Sequence, residues 1–416
     1  MDGNNRAGRT RCPLGVPVAG RTISEARHTV GDERAGARMT EVRPTGSTGR
    51  RGRLLALTAL AAAAGGAAWA LRDLPAAFGG RPDGEREERI RRSPQYRDGV
   101  FHNAPSELAR ASTPGAETVR RMLFDREGRT PALPVPTVRP QHGERPAEGV
   151  EVVWYGHASV LVEIEGSRVL LDPIWSDRCS PSAHVGPKRL HPVPAALSEL
   201  PPVDAVLISH DHYDHLDMAT VKRLVTLQSA PFLVPLGIGS HLRRWGVPEH
   251  RIIELDWDET CTLGSLTLTL TSAHHFSGRG TTRNTTLWGS WVIAGPNRKV
   301  YYTGDSGYFE GYARIGEQHG PFDAALVQIG AYDEAWADIH MTPEDAVRAH
   351  RELQAGLLVP VHWCTFNLGL HPWAEPIERL LVEAKAQAVP LVVPRPGERV
   401  DVDQPQELDG WWETVA

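Results

Sequence analysis

Residues 209–217 read Ser-His-Asp-His-Tyr-Asp-His-Leu-Asp, so that His210, His212 and His215 alternate with Asp211, Asp214 and Asp217 within eight residues. Imidazole and carboxylate are the ligands that suit zinc and similar divalent ions. The H-x-H-x-D-H spacing is not the i, i+4 pair of a helix-borne metalloprotease site. On a tight loop, His210 and His212 can serve one ion while Asp214 and His215 turn toward a second. No packing demand accounts for three histidines and alternating acids in so short a run.

A two-ion centre needs more ligands than one loop supplies, and three later stretches offer them. His274 and His275 follow a β-rich run, Asp305 lies in Thr303-Gly304-Asp305-Ser306-Gly307, and His362 follows Val359-Pro360-Val361. Asp172, closing Leu-Leu-Asp-Pro, either accepts a hydrogen bond from a ligand histidine and fixes its tautomer, or simply makes an Asp-Pro turn. His340 stands just before Thr342-Pro343-Glu344-Asp345, an N-cap threonine with proline at the first helical position and an acid at the third. There is no G-x-S-x-G elbow and no Walker loop. The four cysteines, Cys12, Cys179, Cys261 and Cys364, lie too far apart for a zinc knuckle or a disulfide framework. Cys364 reads as a small packed residue, His157 as structural and Lys188-Arg189 as solvated; His241, His250, His319, His350 and His371 have no partner pattern.

The elements that must carry these groups are short β-rich runs alternating with helices. Val152–Trp154, Ser159–Ile164, Arg168–Leu171 and Val203–Ile208 are predicted strands, the last feeding directly into the His210 loop, and a helix is predicted from about Met218. Further strands are predicted at Phe232–Pro235, Ser265–Ser272, Ser290–Ala294, Lys299–Thr303, Ala324–Gln328 and Leu357–Val361. Strands that mostly precede helices, with hairpins mixed in, predict an α/β layered fold with mixed sheets.

Charge divides the chain of 416 residues. The first 100 residues hold 18 Arg, no Lys and 11 acids, whereas the remaining 316 carry a net charge of −13 and 17 of the 18 histidines. An acidic body without a basic, aromatic-studded surface disfavours nucleic acid as a partner. Residues 1–53 lack apolar periodicity and read as a disordered tail, with Met39 an alternative start of translation. Residues 54–71, LLALTALAAAAGGAAWAL, carry no charge and follow Arg50, Arg51 and Arg53, the pattern of a cleaved export signal or an N-terminal anchor that leaves the body outside the cytoplasm. Residues 72–147 read as a linker and an irregular Pro-rich arm with one helix at Ala116–Phe124, 148–400 as the catalytic domain and 401–416 as a C-terminal tail.

Several motifs together resemble the metallo-β-lactamase superfamily and, within it, the branch of N-acyl-phosphatidylethanolamine-hydrolysing phospholipase D. They are Trp154-Tyr155-Gly156-His157-Ala158, Leu171-Asp172-Pro173-Ile174-Trp175-Ser176-Asp177-Arg178, Gly186-Pro187-Lys188-Arg189, the His210–Asp217 loop, His275-Phe276-Ser277-Gly278-Arg279, Thr303-Gly304-Asp305-Ser306-Gly307-Tyr308 and His362-Trp363-Cys364-Thr365-Phe366. The resemblance implies an αββα sandwich of two mixed β-sheets flanked by helices. It implies two zinc ions, one held by His210, His212 and His275, the other by Asp214, His215 and His362, with Asp305 bridging both. Asp214 and Asp305 would be the catalytic carboxylates. His275 rather than His274 is selected because the family ligand directly precedes an aromatic and the Ser-Gly-Arg run.

The same resemblance implies that Tyr213 and His340 contact the substrate. A pair of such ions ionises water near neutral pH, so the implied reaction is phosphodiester hydrolysis of N-acyl-phosphatidylethanolamine-like phospholipids at a membrane surface. The competing expectations are a lactonase of the same superfamily acting on a phosphorylated sugar lactone, and a membrane-tethered metal-binding protein without activity.

Overall fold

The structure is a computed structural model that describes residues 9–11, 73–107, 115–125 and 127–416. The 54–71 segment and the 1–53 tail, apart from residues 9–11, therefore lie outside the described residues. Among the described residues, no helix is long and apolar enough to cross a membrane.

Among the described residues, two seven-stranded mixed sheets form the body. One contains, in spatial order, β16 (Arg399–Asp401), β4 (Val150–Gly156), β5 (Ser159–Ile164), β6 (Ser167–Leu171), β7 (Ala205–Leu207), β8 (Phe232–Pro235) and β9 (Ile252–Leu255). The other runs β1 (Arg9–Arg11), β10 (Thr260–Leu263), β11 (Leu266–Thr271), β12 (Ser290–Ala294), β13 (Lys299–Tyr302), β14 (Phe322–Gln328) and β15 (Ala355–Val361). A small hairpin pairs β2 (Tyr96–Arg97) with β3 (Val100–Phe101). The helices are α1 (Leu74–Ala77), α2 (Gly84–Arg92), α3 (Ala116–Phe124), α4 (Met218–Leu227), α5 (Gly239–Arg244), α6 (Gly311–His319), α7 (Pro343–Glu352) and α8 (Glu375–Ala386).

The two-residue period of the strands builds the layers. In β4, Val152 and Trp154 face the shared core with Leu268, Leu270 and Trp291 of the second sheet. Their neighbours Val153 and Tyr155 face the opposite way, into a second cluster with Val221 and Leu224 of α4 and Leu242 of α5. Ala346 and Val347 of α7 and Ile377 and Leu380 of α8 are buried in the core that includes the second sheet. This is the αββα sandwich, and its strands explain the near-continuous burial of β5, β6 and β8, which are covered on both faces.

Chain on either side of the 148–400 region also joins the packed body. Ile90 of α2 and Phe101 of β3 are buried in the core. Residues 401–416, which read as a tail, carry Trp411, Trp412 and Val415 into the same core, and Val415 O accepts a hydrogen bond from Ala132 N. A run of three large apolar side chains so near the end of a chain is a packing signal rather than a tail signal.

Candidate metal centre

The parallel pairs β6–β7–β8 and β13–β14–β15 leave their carboxyl ends at one edge of the sandwich, the usual place for a site on such sheets. Asp172 follows β6, the His210 loop follows β7, Asp305 follows β13 and His362 follows β15. The turns there are sharp. His157, Asp172 and His362 all have positive φ (51°, 35° and 62°), a left-handed backbone uncommon for residues with a Cβ and concentrated at functional sites. Gly304 also has positive φ (54°), and a Cβ there would stand 2.6 Å from that of Ser209, so only glycine lets the Asp305 turn pass the metal loop this closely.

All seven residues expected to hold metal converge. His212 Nδ1 lies 2.8 Å from His210 Nε2 and 3.2 Å from His275 Nε2, three nitrogens aimed at one point. Asp305 Oδ2 lies 3.1 Å from both His215 Nε2 and His362 Nε2 and 3.9 Å from both His210 Nε2 and His275 Nε2, between the two groups. Asp214 Oδ2 is 3.3 Å from His362 Nε2 and 3.6 Å from His215 Nε2. The donor set is all N and O, and Asp305 Oδ1 is buried without a hydrogen-bond partner. A buried carboxylate with one oxygen unpaired and the other among imidazoles is costly unless a cation meets it, so these residues fit divalent cations.

The electrostatics agree. Burial alone would raise the carboxyls of Asp214 and Asp305, but the neighbouring imidazoles, His215 first, hold both well below the ordinary carboxylate range. Burial pushes His210 and His275 well below the ordinary imidazole value, reinforced by neighbouring imidazoles, His215 first at His210 and His212 first at His275. His215 and His362 go the other way. Burial opposes their charge, yet Asp305 together with Asp214 raises His215 well above its ordinary value and His362 to about 9. Two protons thus sit where the carboxylates demand positive charge, and bound cations would replace them.

A hydrogen-bonded shell orients the cluster. Asp172 is fully buried; its carboxylate accepts from His215 Nδ1 at 2.7 Å, Ser209 N at 2.7 Å and the hydroxyls of Ser209 and Tyr302 at 2.5 Å. Of the two readings of Asp172, the fold realises the histidine acceptor, the arrangement that fixes a ligand tautomer. His275 Nδ1 is 3.0 Å from Ile339 O, and Asn103 brackets His275, donating to its carbonyl at 2.8 Å and accepting from its amide at 3.0 Å. Asn103 lies in the arm, and no sequence signal marks it. His274 stays outside the cluster, its amide donating to Ser306 Oγ at 2.9 Å, and Cys364 is buried as a small packed residue.

The remaining expected residues diverge. His340 sits at the rim, Nδ1 4.0 Å from Asp305 Oδ2, ahead of the capping box that Thr342 and Asp345 form on α7. Burial pushes His340 down to about 4, so it is neutral at neutral pH. It lines two adjoining cavities. One, of about 210 Å³, opens over the metal cluster with Met122, Phe276, Trp336 and Leu368 on its walls. The other, of about 540 Å³, is flanked by Arg121 and Arg379. Tyr213 faces elsewhere: its hydroxyl donates to Arg279 O at 2.7 Å, and its ring lies 4.1 Å from the Arg279 guanidinium, beside a separate cavity under α1.

Arg279, buried, donates to Ala77 O, Asp211 O and Leu216 O at 2.7–2.8 Å, tying the arm to the metal loop. Arg189 is not solvated as expected. It is buried, with Nε 3.0 Å from Ser176 O and its guanidinium 5.1 Å from the Phe366 ring, because the 174–190 loop folds around it; Lys188 remains exposed. His241, without a partner in the sequence pattern, lies 3.3 Å from Asp211.

The chain is similar in sequence to known proteins. A family model described as a beta-lactamase superfamily domain matches residues 167–363, a span containing all seven cluster residues. An uncharacterized protein of Mycobacterium tuberculosis is 51% identical over 87% of this chain and 99% of its own length. N-acyl-phosphatidylethanolamine-hydrolyzing phospholipase D 1 of Caenorhabditis elegans is 33% identical over 68% of this chain and 85% of its own. The mitochondrial N-acyl-phosphatidylethanolamine-hydrolyzing phospholipase D of Saccharomyces cerevisiae is 31% identical over 55% of this chain and 50% of its own.

Proposed function

The chain belongs to the metallo-β-lactamase superfamily, in the branch of the N-acyl-phosphatidylethanolamine-hydrolysing phospholipases D, and from that premise we propose that it is a zinc-dependent phosphodiesterase acting on N-acyl-phosphatidylethanolamine-like phospholipids. The observation that carries the reading is the convergence of five imidazoles and two carboxylates at the floor of a cavity with apolar walls. His210, His212 and His275 would hold one zinc, Asp214, His215 and His362 the other, and Asp305 both. Bound there, the pair would supply a nucleophilic water of lowered pKa and offset the charge of a phosphodiester.

The chain's own residues supply the rest. Met122, Phe276, Trp336 and Leu368 give the cavity apolar walls that suit the apolar part of a lipid. His340, neutral and fixed at the capped start of α7, can donate a hydrogen bond to a phosphoryl oxygen without adding charge. The cavity flanked by Arg121 and Arg379 continues past His340 and would take the polar head group. Substrate contact is assigned to His340 and not to Tyr213, whose hydroxyl is committed to Arg279 O. The apolar 54–71 segment would tether the domain to a bilayer surface, with its body outside the cytoplasm.

The test is hydrolysis by purified protein, stripped with a chelator and reloaded with zinc. Turnover of bis(p-nitrophenyl) phosphate and of N-acyl-phosphatidylethanolamine vesicles is expected only after reloading. It should fall by roughly three orders of magnitude in His212→Ala, because a metal supplies several kcal/mol of charge stabilisation. Zinc uptake without turnover of any phosphodiester would favour the inactive scaffold. Turnover confined to a phosphorylated sugar lactone would favour the lactonase.

A further inference from the structure

His157 lies outside the span of the matched family model and among none of the seven groups proposed to hold metal. It occupies the two-residue turn between β4 and β5 with a left-handed backbone, φ 51°. Its ring is buried, 1% exposed, and Nε2 lies 2.9 Å from Asp214 Oδ2. An ionised carboxylate can only accept, so Nε2 carries the proton and donates it.

The same residue is stapled to the strand end that bears His362. His157 O accepts from His362 N at 2.9 Å and from Trp154 Nε1 at 2.7 Å, and its amide donates to Thr365 Oγ1 at 2.6 Å. Its ring centroid is 4.0 Å from that of His362, and Phe366 meets its other side edge-on at 5.1 Å. One residue therefore fixes the backbone of His362 and the side chain of Asp214, which come from different sheets. A left-handed turn at a residue with a Cβ is unfavourable in itself and persists only where its surroundings enforce it.

We propose that His157 is a positioning residue for Asp214, its Nε2–H holding the carboxylate in the orientation in which Asp214, His215 and His362 together receive a cation. The inference rests on the two-ion centre proposed above. It assigns a task to a histidine that chemistry alone would leave as an eighth ligand or a core residue. His210, His212 and His275 make no contact with it and do not depend on it.

Two substitutions separate these roles. His157→Phe keeps the ring that packs against His362 and Phe366 but removes the donor. His157→Gln keeps an N–H at the reach of Nε2 but ligates zinc poorly. The readouts are zinc bound per chain by equilibrium dialysis into metal-free protein and the visible absorption of the cobalt-loaded form.

Wild type is expected to take up two ions. His157→Phe should bind the first as wild type does and the second about 10–100-fold more weakly, the usual loss when an outer partner of a ligand is removed. His157→Gln should restore the second. Two ions bound normally by His157→Phe would overturn the proposal, as would loss of both. Loss of the second ion in His157→Gln would overturn it in favour of direct ligation. If His157→Phe does not fold, His157→Gln alone decides, supporting the proposal by binding two ions and overturning it by binding one. Failure of wild type itself to bind metal would instead refute the two-ion reading.

Discussion

Removing the ions should reverse the way this protein responds to pH. In the metal-free protein, burial opposes the charge on His215 and His362, but Asp305 and Asp214 raise His215 well above its ordinary value and His362 to about 9. The unfolded chain releases these protons near pH 6.5. Between about pH 7 and pH 8 these two sites therefore bind more protons in the folded state than in the unfolded state, and their contribution to stability falls as pH rises. Each such proton contributes a slope of about 1.4 kcal/mol per pH unit, and His362 alone accounts for about 3 kcal/mol between its unfolded and folded values.

The other shifted imidazoles oppose this slope, and their effect fades as pH rises through the window. His157, His210, His212, His275 and His340 in the site, and His142, His191, His274, His319, His350 and His371 outside it, are pushed down, so they are neutral in the folded state, while their unfolded forms still hold a minor share of protons near pH 7. Burial pushes the thiols of Cys179 and Cys364 up, which adds to the slope of His215 and His362 as the unfolded thiols ionise, and a variant subtracts that background. The assay is urea unfolding in chelator at half-unit steps from about pH 7 to about pH 8. Wild type should lose stability toward the upper end of the range, and the slope there should be shallower in His362→Gln by about 1.4 kcal/mol per pH unit. After zinc reloading the fall should vanish or invert, because ligand imidazoles must be neutral and binding releases protons. A profile in the stripped wild type that is still flat or rising at about pH 8, or an unchanged slope in the variant, would refute the charge assignment.

Two other perturbations test the shell. Asp172→Asn removes the charge that His215, Ser209 and Tyr302 share, and is expected to weaken the ion nearest His215 about 10–100-fold and to destabilise the metal-free protein by about 3 kcal/mol, read by dialysis and by urea unfolding. Arg279→Ala should cost about 3 kcal/mol or more, because three charge-assisted bonds to buried carbonyls are lost, and should raise amide exchange across 73–80 where Ala77 O is released. Arg279→Lys should not rescue it, since a single ammonium cannot reach three carbonyls on separate segments.

Much of the site is legible from residue type alone. His210, His212, Asp214 and His215 stand out because no packing role explains them, and Asp305 and His362 follow β-rich runs whose ends point to a common edge. The strand period placed most of the sandwich, including β5, β8 and β12 at their observed bounds, and the one helix predicted in the arm is α3. The short strands β9, β10 and β16 were not predicted. Ile252–Leu255 is the edge strand of its sheet and Thr260–Leu263 lies one strand in from the edge of the other, and Arg399–Asp401 is a strand only because β4 offers it a partner. Arg189 and Trp411 were misread for a related reason: a charged residue and a chain end look solvated until the fold closes around them.

His157, Asn103 and Tyr213 mark where reading a linear chain stops. Each has a side chain compatible with several roles, and the choice depends on what lies across from it: Asp214, His275 and Arg279. Ligand chemistry is intrinsic to an imidazole or a carboxylate, so the metal-binding inventory and its loop could be read from the amino acids in order. Hydrogen-bond partners 57 to 208 positions apart, as for His157 with Asp214 and Thr365, are set only when two sheets pack face to face. That packing selected which histidines meet the carboxylates, which stand behind them and which never arrive.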